Sequence, residues 1–143
     1  MIDISKKEVV LRTAKASGKI VLREDTIKRI KHNQVQKGDV LTIAKISAIN
    51  AVKKVPDLIA LCHPILINHI SVDFEFEGNN TVKVSCSVKS YAKTGVEMEA
   101  LMGVHIALLN IWDIVKMYEK DDDGQYPFTI INDIKVNEKN KED

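Results

Sequence analysis

Residues 92–116, AKTGVEMEALMGVHIALLNIWDIVK, put two glutamates, a histidine, an asparagine, an aspartate and two lysines into a largely apolar run. At 100° per residue, Val96, Ala100, Leu101, Val104, Ala107, Leu108, Ile111 and Val115 form one broad stripe that predicts the core face of a helix. Glu99, Gly103, Asn110 and Asp113 fall on the opposite side, with Lys116 at its edge. Their neighbours there are Met102, Ile106, Leu109 and Met117, not further charges, so a partner or a substrate is expected to cover this side. Asp113 and Lys116 are i, i+3 neighbours and suit an acid/base pair, each setting the proton affinity of the other. A routine helix salt bridge fits the same spacing. Glu99 lies fourteen residues from Asp113, about 21 Å along a helix rising 1.5 Å per residue, so the two cannot serve one atom. Glu97 and Glu99, two residues apart, are expected to point to different faces and not to act as a two-carboxylate dyad.

A second set of candidates is basic. Lys37 precedes a Gly-Asp turn, Lys53 and Lys54 end an apolar segment, and His63 sits in LCHP. Lysines and a histidine suit an oligophosphate, as point charges and hydrogen-bond donors. The sequence has no Walker A, GxGxxG or GxSxG pattern to supply a phosphate loop or a nucleophile elbow. Cys62 and Cys86 lack CxxC or Cys/His ligand spacing, so they read as two small buried hydrophobes in a reducing compartment. No metal-ligand spacing is present.

The elements that must position these groups follow from periodicity. Val9–Ala14 and Lys19–Leu22 read as two short β pieces joined around Ser17 and Gly18. A helix follows, with Asp25 or Thr26 as cap and Ile27, Ile30 and Val35 buried. The next helix is predicted from Val40, capped by Asp39, to about Lys54, where Pro56 stops it. Apolar residues wrap most of its circumference, which predicts burial on more than one side and makes a second subunit a reasonable wall. Ile70, Val72, Phe74 and Phe76, then Val82, Val84, Cys86 and Val88, alternate with polar residues on either side of a GNN turn, the pattern of a β-hairpin. The long helix is expected over Val96–Glu119, and YPFTIINDIKV supplies a last strand before a charged, flexible tail at 137–143. The order predicts an α+β fold, a ferredoxin-like split βαβ with helices on one face of an antiparallel sheet, in a single domain over 1–143.

With 45% apolar and 29% charged residues and a net charge of +1, the chain has the composition of an ordinary globular protein. The total charge points to neither nucleic acid nor a membrane surface. No apolar leader opens the sequence and no window is expected to span a membrane, so a cytoplasmic protein is expected. An RNA-binding module on this fold needs aromatics exposed on the sheet, whereas Phe74 and Phe76 fall on the core face. A non-catalytic small-molecule sensor is the other alternative, and Asp113 with Lys116 argues against it.

IDIS near the start, KGDV at 37–40, LIALCHP at 58–64, KTGVEMEAL at 93–101 and WDIVK at 112–116 together resemble the molybdenum cofactor biosynthesis protein C family, over nearly the whole chain and in order. That family comprises the cyclic pyranopterin monophosphate synthases. The resemblance implies a lyase with a ferredoxin-like fold that converts 3′,8-cyclo-7,8-dihydro-GTP, made by a radical SAM GTP cyclase, into cyclic pyranopterin monophosphate with release of pyrophosphate. It implies a homohexamer, a trimer of dimers, with sites at the dimer interface. It requires no cofactor beyond Mg2+ that could accompany the triphosphate. Its catalytic residues fall on Asp113, Lys116, Lys37, His63, Glu97 and Glu99. Its substrate-binding residues fall on Lys53, Leu61, Cys62, His63, Glu97, Met98, Glu99 and, through the family's C-terminal lysine, Lys139. The sequence departs from the family pattern at Ala60, where LIPLCHP has its proline, and at Ser47-Ala48-Ile49, where the family has AGI. NEKNKED stands where the family has a glycine-rich GGKSG ending that covers the substrate, which implies a more open site.

Overall fold

Period-two alternation builds the centre of the sheet. In the computed structural model, which describes residues 1–142, the hairpin consists of β2 (His69–Glu77) and β3 (Thr81–Ala92). Val72 pairs with Cys86 and Phe74 with Val84. Val72, Val82, Val84, Cys86 and Val88 are buried on one face, as the alternation predicts, and Gly78 turns the chain at φ +61°. Before the hairpin come β1 (Val10–Val21), α1 (Glu24–Lys31), α2 (Val40–Val52) and the short α3 (Val55–Leu58); after it come α4 (Glu97–Glu119) and β4 (Ile130–Glu142). The sheet order is β2-β3-β1-β4, with every pairing antiparallel. This is the split βαβ, ferredoxin-like arrangement: α4 lies over β1, β3 and β4, and α2 lies beside it over β2, on the same face.

Four expectations are corrected. First, β1 is one continuous strand, because Gly18 is a close-packing position and not a turn. A Cβ there would lie 2.8 Å from Ile134 Cγ1 and 2.9 Å from both Leu108 Cδ1 and Val104 Cγ1. Second, α2 ends at Val52, and Pro56 starts α3 from its first turn, where a missing N–H costs nothing. Third, residues 137–142 are strand and not tail: charged as they are, they pair with β1 as far as Glu142 opposite Leu11. The edge position lets their side chains stay in water while the backbone is paired. Fourth, α4 is long and apolar enough by length and composition to cross a membrane, with a mean hydropathy of 1.4 over its apolar window. It is the central helix of this fold, with Ala100, Val104, Ala107, Leu108, Ile111 and Val115 all fully buried.

Caps and carboxylates fix the helices. Asp39 caps α2 by accepting from Thr42 N at 3.1 Å, as predicted. α1 has no side-chain cap of its own at Arg23. Instead the fully buried Glu119, at the end of α4, accepts from Arg23 N at 3.1 Å and from the hydroxyls of Thr26 and Thr129, the latter at 2.8 Å. One carboxyl group therefore ties the start of α1, the end of α4 and the approach to β4, and its buried oxygens are satisfied by these donors.

At Gly103 the helix meets the sheet most closely: a Cβ there would lie 2.5 Å from Cys86 Sγ and 3.1 Å from Val52 Cγ2. Gly103→Ala is expected to lower unfolding stability by about 1–3 kcal/mol from overpacking, despite the ~1 kcal/mol that alanine gains in helix propensity. Urea unfolding of Gly103→Ala, Cys86→Ala and the double variant checks this. The double variant should be more stable than the sum of the single effects, because Cys86→Ala removes the clashing sulfur; strict additivity would show that the two positions do not meet.

Candidate functional site

α4 carries two sites, one at each end. The first is a cavity of about 390 Å³ at its N-terminal end. The loop after α3 contributes Leu61, Cys62 and His63, and the start of α4 contributes Glu97, Met98 and Glu99. The LCHP and VEMEAL motifs, more than thirty positions apart in sequence, therefore line one space. Gly95 makes this possible, because the Glu97 carboxylate folds back into the volume that a Cβ at Gly95 would fill.

Glu97 and Glu99 face the same cavity, contrary to the expectation from their two-residue spacing. The cavity wraps the end of the helix rather than one side of it, so residues on different faces reach it. Their environments separate their proton affinities. Burial pushes the Glu97 carboxyl up, but the hydrogen bond from Lys139, with help from the Glu97 backbone N–H and the charges of Lys139 and Arg12, holds it below the usual carboxylate range. Glu99 is 3% exposed and, among the described residues, forms no salt bridge. Burial raises its carboxyl above the usual range, and the Glu97 charge adds to the effect. Two neighbouring carboxyls shifted in opposite directions can divide acid and base roles. Lys139 Nζ lies 2.5 Å from Glu97 Oε1, so the C-terminal lysine reaches this cavity from β4. The Cys62 thiol is pushed up by burial and by the Glu99 charge, which disfavours its thiolate form. Cys86, fully buried in the core, is pushed up to about 12 by burial and the Asp73 charge.

The second site lies further along α4. Lys116 Nζ is 2.9 Å from Asp113 Oδ1; Lys37 Nζ donates to Asp113 O at 2.8 Å and lies 3.4 Å from Oδ2. Lys37 is delivered by the turn between α1 and α2, where Gly38 sits at φ +124° and Gln36 N donates to Tyr118 Oη at 2.9 Å. The hydrogen bond and charge of Lys116, then the charge of Lys37, hold the Asp113 carboxyl below its usual range, and Asp113 in turn raises the Lys116 ammonium. The Asp113 side chain is 60% exposed.

Of the face expected to be covered, Glu99 and Gly103 are covered within the chain, where Gly103 packs against Val52 of α2 and Cys86 of β3. Asn110 is half-buried and its amide oxygen accepts from Ser47 Oγ at 3.2 Å. Asp113 lies outside that cover. The four basic candidates do not form one cluster in this chain: His63 lines the cavity, Lys37 joins Asp113, and Lys53 and Lys54 lie exposed where α2 passes into α3. Two contributors escaped sequence reasoning. Arg12 acts on Glu97 from β1, and residues 1–7 bring Met1, Ile2, Ile4 and Lys7 to the cavity wall. Arg12 carries no local pattern that would mark it, and IDIS at 2–5 marks the N-terminal segment as part of the family resemblance without showing that it reaches the cavity. Among the described residues, no group of three or more His, Cys, Asp or Glu is placed to hold a metal ion.

Fold and geometry define a ferredoxin-like domain with a carboxylate-lined cavity and, along the same helix, a lysine-paired aspartate. The chain belongs to the MoaC family, whose profile matches residues 1–142. It is 53% identical over 142 residues to a protein of Saccharolobus solfataricus named "Probable cyclic pyranopterin monophosphate synthase", covering 99% of this chain and 95% of that one. Proteins of the same name from Pyrococcus abyssi (53% over 141 residues, 99% and 88% covered) and Methanococcoides burtonii (52% over 142 residues, 99% and 89% covered) are similarly close.

The raised Glu99 carboxyl has a stability consequence. Folding favours its protonated form, so its contribution is fully present below the unfolded value near 4.5 and is lost as pH rises through the higher folded value. Glu99→Gln escapes that loss. Its Tm relative to the unmodified protein is expected to climb between pH 4 and pH 7, by a few degrees on the order of 1 kcal/mol. Thermal melts across that range at one protein concentration check it; a Tm difference independent of pH would show that Glu99 is not desolvated.

Proposed function

We propose that this protein is a cyclic pyranopterin monophosphate synthase of molybdenum cofactor biosynthesis. It is a lyase that takes 3′,8-cyclo-7,8-dihydro-GTP from a radical SAM GTP cyclase and rearranges it to cyclic pyranopterin monophosphate. The observation that carries this reading is the convergence of Leu61-Cys62-His63 and Glu97-Met98-Glu99 on one cavity, in a chain about half identical to proteins of that name. In the phosphoryl step a substrate hydroxyl attacks the α-phosphorus, the α–β P–O bond breaks, and pyrophosphate leaves. His63, Lys37, Lys53 and Lys139 supply donors and positive charge for the phosphates. The pterin-forming step needs protons moved during ring opening. Lys116, kept protonated by Asp113, is the leading general acid, and Glu99, whose carboxyl burial raises above the usual range, is the second candidate for proton exchange. Magnesium enters this scheme with the substrate's triphosphate and not as a resident metal. The reading places the protein in the cytoplasm.

We further propose that the working form is a hexamer, a trimer of dimers, with each site completed across a dimer interface. Glu99 and Asp113 stand about 21 Å apart along one rigid helix, too far for one reacting centre. The exposed Asp113 is accompanied by Leu109 and Met117, 57% and 41% exposed. A second copy over that surface would bury those side chains and bring one chain's Asp113–Lys116 pair towards another chain's cavity.

Lys116→Ala and Asp113→Asn are each expected to lower turnover of the cyclised intermediate by at least about 10²-fold, the range for loss of a positioned acid or base. Incubation with GTP, S-adenosylmethionine and the radical cyclase, followed by detection of the fluorescent oxidised pterin, reads this directly. Near-normal turnover by Lys116→Ala would refute its role as general acid. If unmodified, correctly assembled protein forms no product, the sensor reading is favoured instead.

Leu109→Glu is expected to shift the protein to smaller species in sedimentation velocity and to cost most of the activity. A monomeric unmodified protein with full activity would eliminate the shared-site scheme.

A further inference from the structure

Residues 1–7 form neither helix nor strand, yet three hydrogen bonds hold them. Ser5 N donates to Asp3 Oδ1 at 2.8 Å and Lys7 N to Ile4 O at 3.0 Å, which shape the segment locally. The third is a tether: Lys93 Nζ donates to Ser5 O at 2.7 Å across 88 positions of sequence. Lys93 is itself well anchored, just past β3, where Arg12 Nη2 donates to Lys93 O at 3.4 Å and Arg12 Nε to Ala92 O at 3.5 Å. Asp3 feels the charges of Lys93 and His63, after its stronger bonds to Ser5, so the segment, the tether and the cavity histidine share one rim.

The tether has a consequence for the cavity. It holds Met1, Ile2 and Ile4 as an apolar wall in the space shared with His63, Glu97 and Glu99, and Lys7 adds a cation to that wall. Met1 and Ile2 remain 74% and 76% exposed, apolar side chains set against an open cavity within an otherwise polar segment. A flat heterocycle in the cavity would cover them and gain apolar contact.

We infer that residues 1–7 are a wall of the substrate site and that Lys93 is the positioning residue that holds this wall in place, governing how tightly the substrate is gripped without joining the chemistry. This rests on the synthase reading proposed above. Lys93 acts through the backbone of Ser5 and not on reacting atoms, so its loss belongs in KM and not in kcat.

The test compares the unmodified protein with Lys93→Met and Lys93→Arg in the full chain. Two readouts are used: steady-state kinetics with the cyclised dihydro-GTP, and limited trypsin cleavage after Lys6 and Lys7 without substrate. Lys93→Met is expected to raise KM about 10-fold with kcat within about twofold, the scale of one lost charged hydrogen bond. It should also speed cleavage after Lys6 and Lys7 several-fold while the rest of the chain stays resistant, as local release of a segment does. Lys93→Arg, which keeps a donor, should restore both. Unchanged KM and cleavage would overturn the inference, as would a fall in kcat at constant KM. Cleavage throughout the chain would overturn it in favour of a role in folding. The cleavage readout needs no substrate, so it judges the tether even if the unmodified protein makes no pterin, a result that would count against the synthase reading alone.

Discussion

The height of α4 above the sheet is set by two positions with no side chain. Gly18 in β1 leaves room for Val104 and Leu108 of the helix and Ile134 of β4; Gly103 in the helix leaves room for Cys86 of β3 and Val52 of α2. Interiors pack at near-crystalline density, so the helix cannot be raised by a methyl group without parting contacts along its whole length. Glu119 then locks its far end to α1 and to Thr129. Everything chemical in the molecule is referred to this one rod. The Glu97–Glu99 turn, the Asp113–Lys116 pair and the Ser47–Asn110 bond to α2 hold their mutual spacing because the rod neither slides nor lifts.

The two ends of the rod are electrostatically unlike. At the start, an acidic first turn meets the positive end of the helix dipole, and burial separates Glu99, pushed up, from Glu97, held down mainly through its bond to Lys139. Near the other end, a largely exposed aspartate is bracketed by two lysines. Exposure makes that bracket a weak contributor to stability, and a site that must exchange its partners for substrate needs that freedom.

What the sequence revealed follows from how local each signal is. The β2–β3 hairpin and the core stripe of α4 were legible because alternation and helical period are fixed by backbone geometry within a few residues. Gly18 was misread as a turn because a glycine demanded by a helix 86–90 positions away looks locally like any other loop glycine. β4 was misread as tail over 137–142 because an edge strand can be paired through its backbone while its side chains stay charged. For the site, the contact between Asp113 and Lys116 was legible from their i, i+3 spacing, whereas that of Lys37 with Asp113, 76 positions away, was not. That Glu97 and Glu99 share a cavity was not legible, because helical angles describe the sides of a helix and not its end. The contributions of Arg12 and residues 1–7 depend on the tertiary register of β1 with β3, which no local pattern records.

The distribution of cations bears on how a triphosphate would be held. Lys37 and Lys116 are committed to Asp113, Lys139 to Glu97, and Lys93 to the Ser5 carbonyl. Each must give up a partner to meet a phosphate, so the net gain from each is reduced by the bond it leaves. Lys53 and Lys54 are exposed and, among the described residues, pair with no acid. They do not line the cavity of their own chain, where Lys7 stands in the wall and, among the described residues, forms no salt bridge. In the proposed shared-site assembly this is no contradiction. The cavity of one copy offers carboxylates and an apolar wall suited to a heterocycle, and uncommitted lysines from the neighbouring copy offer charge for the phosphates. A substrate that carries both a heterocycle and a phosphate chain would use both surfaces, which is the physical argument behind the proposed shared site.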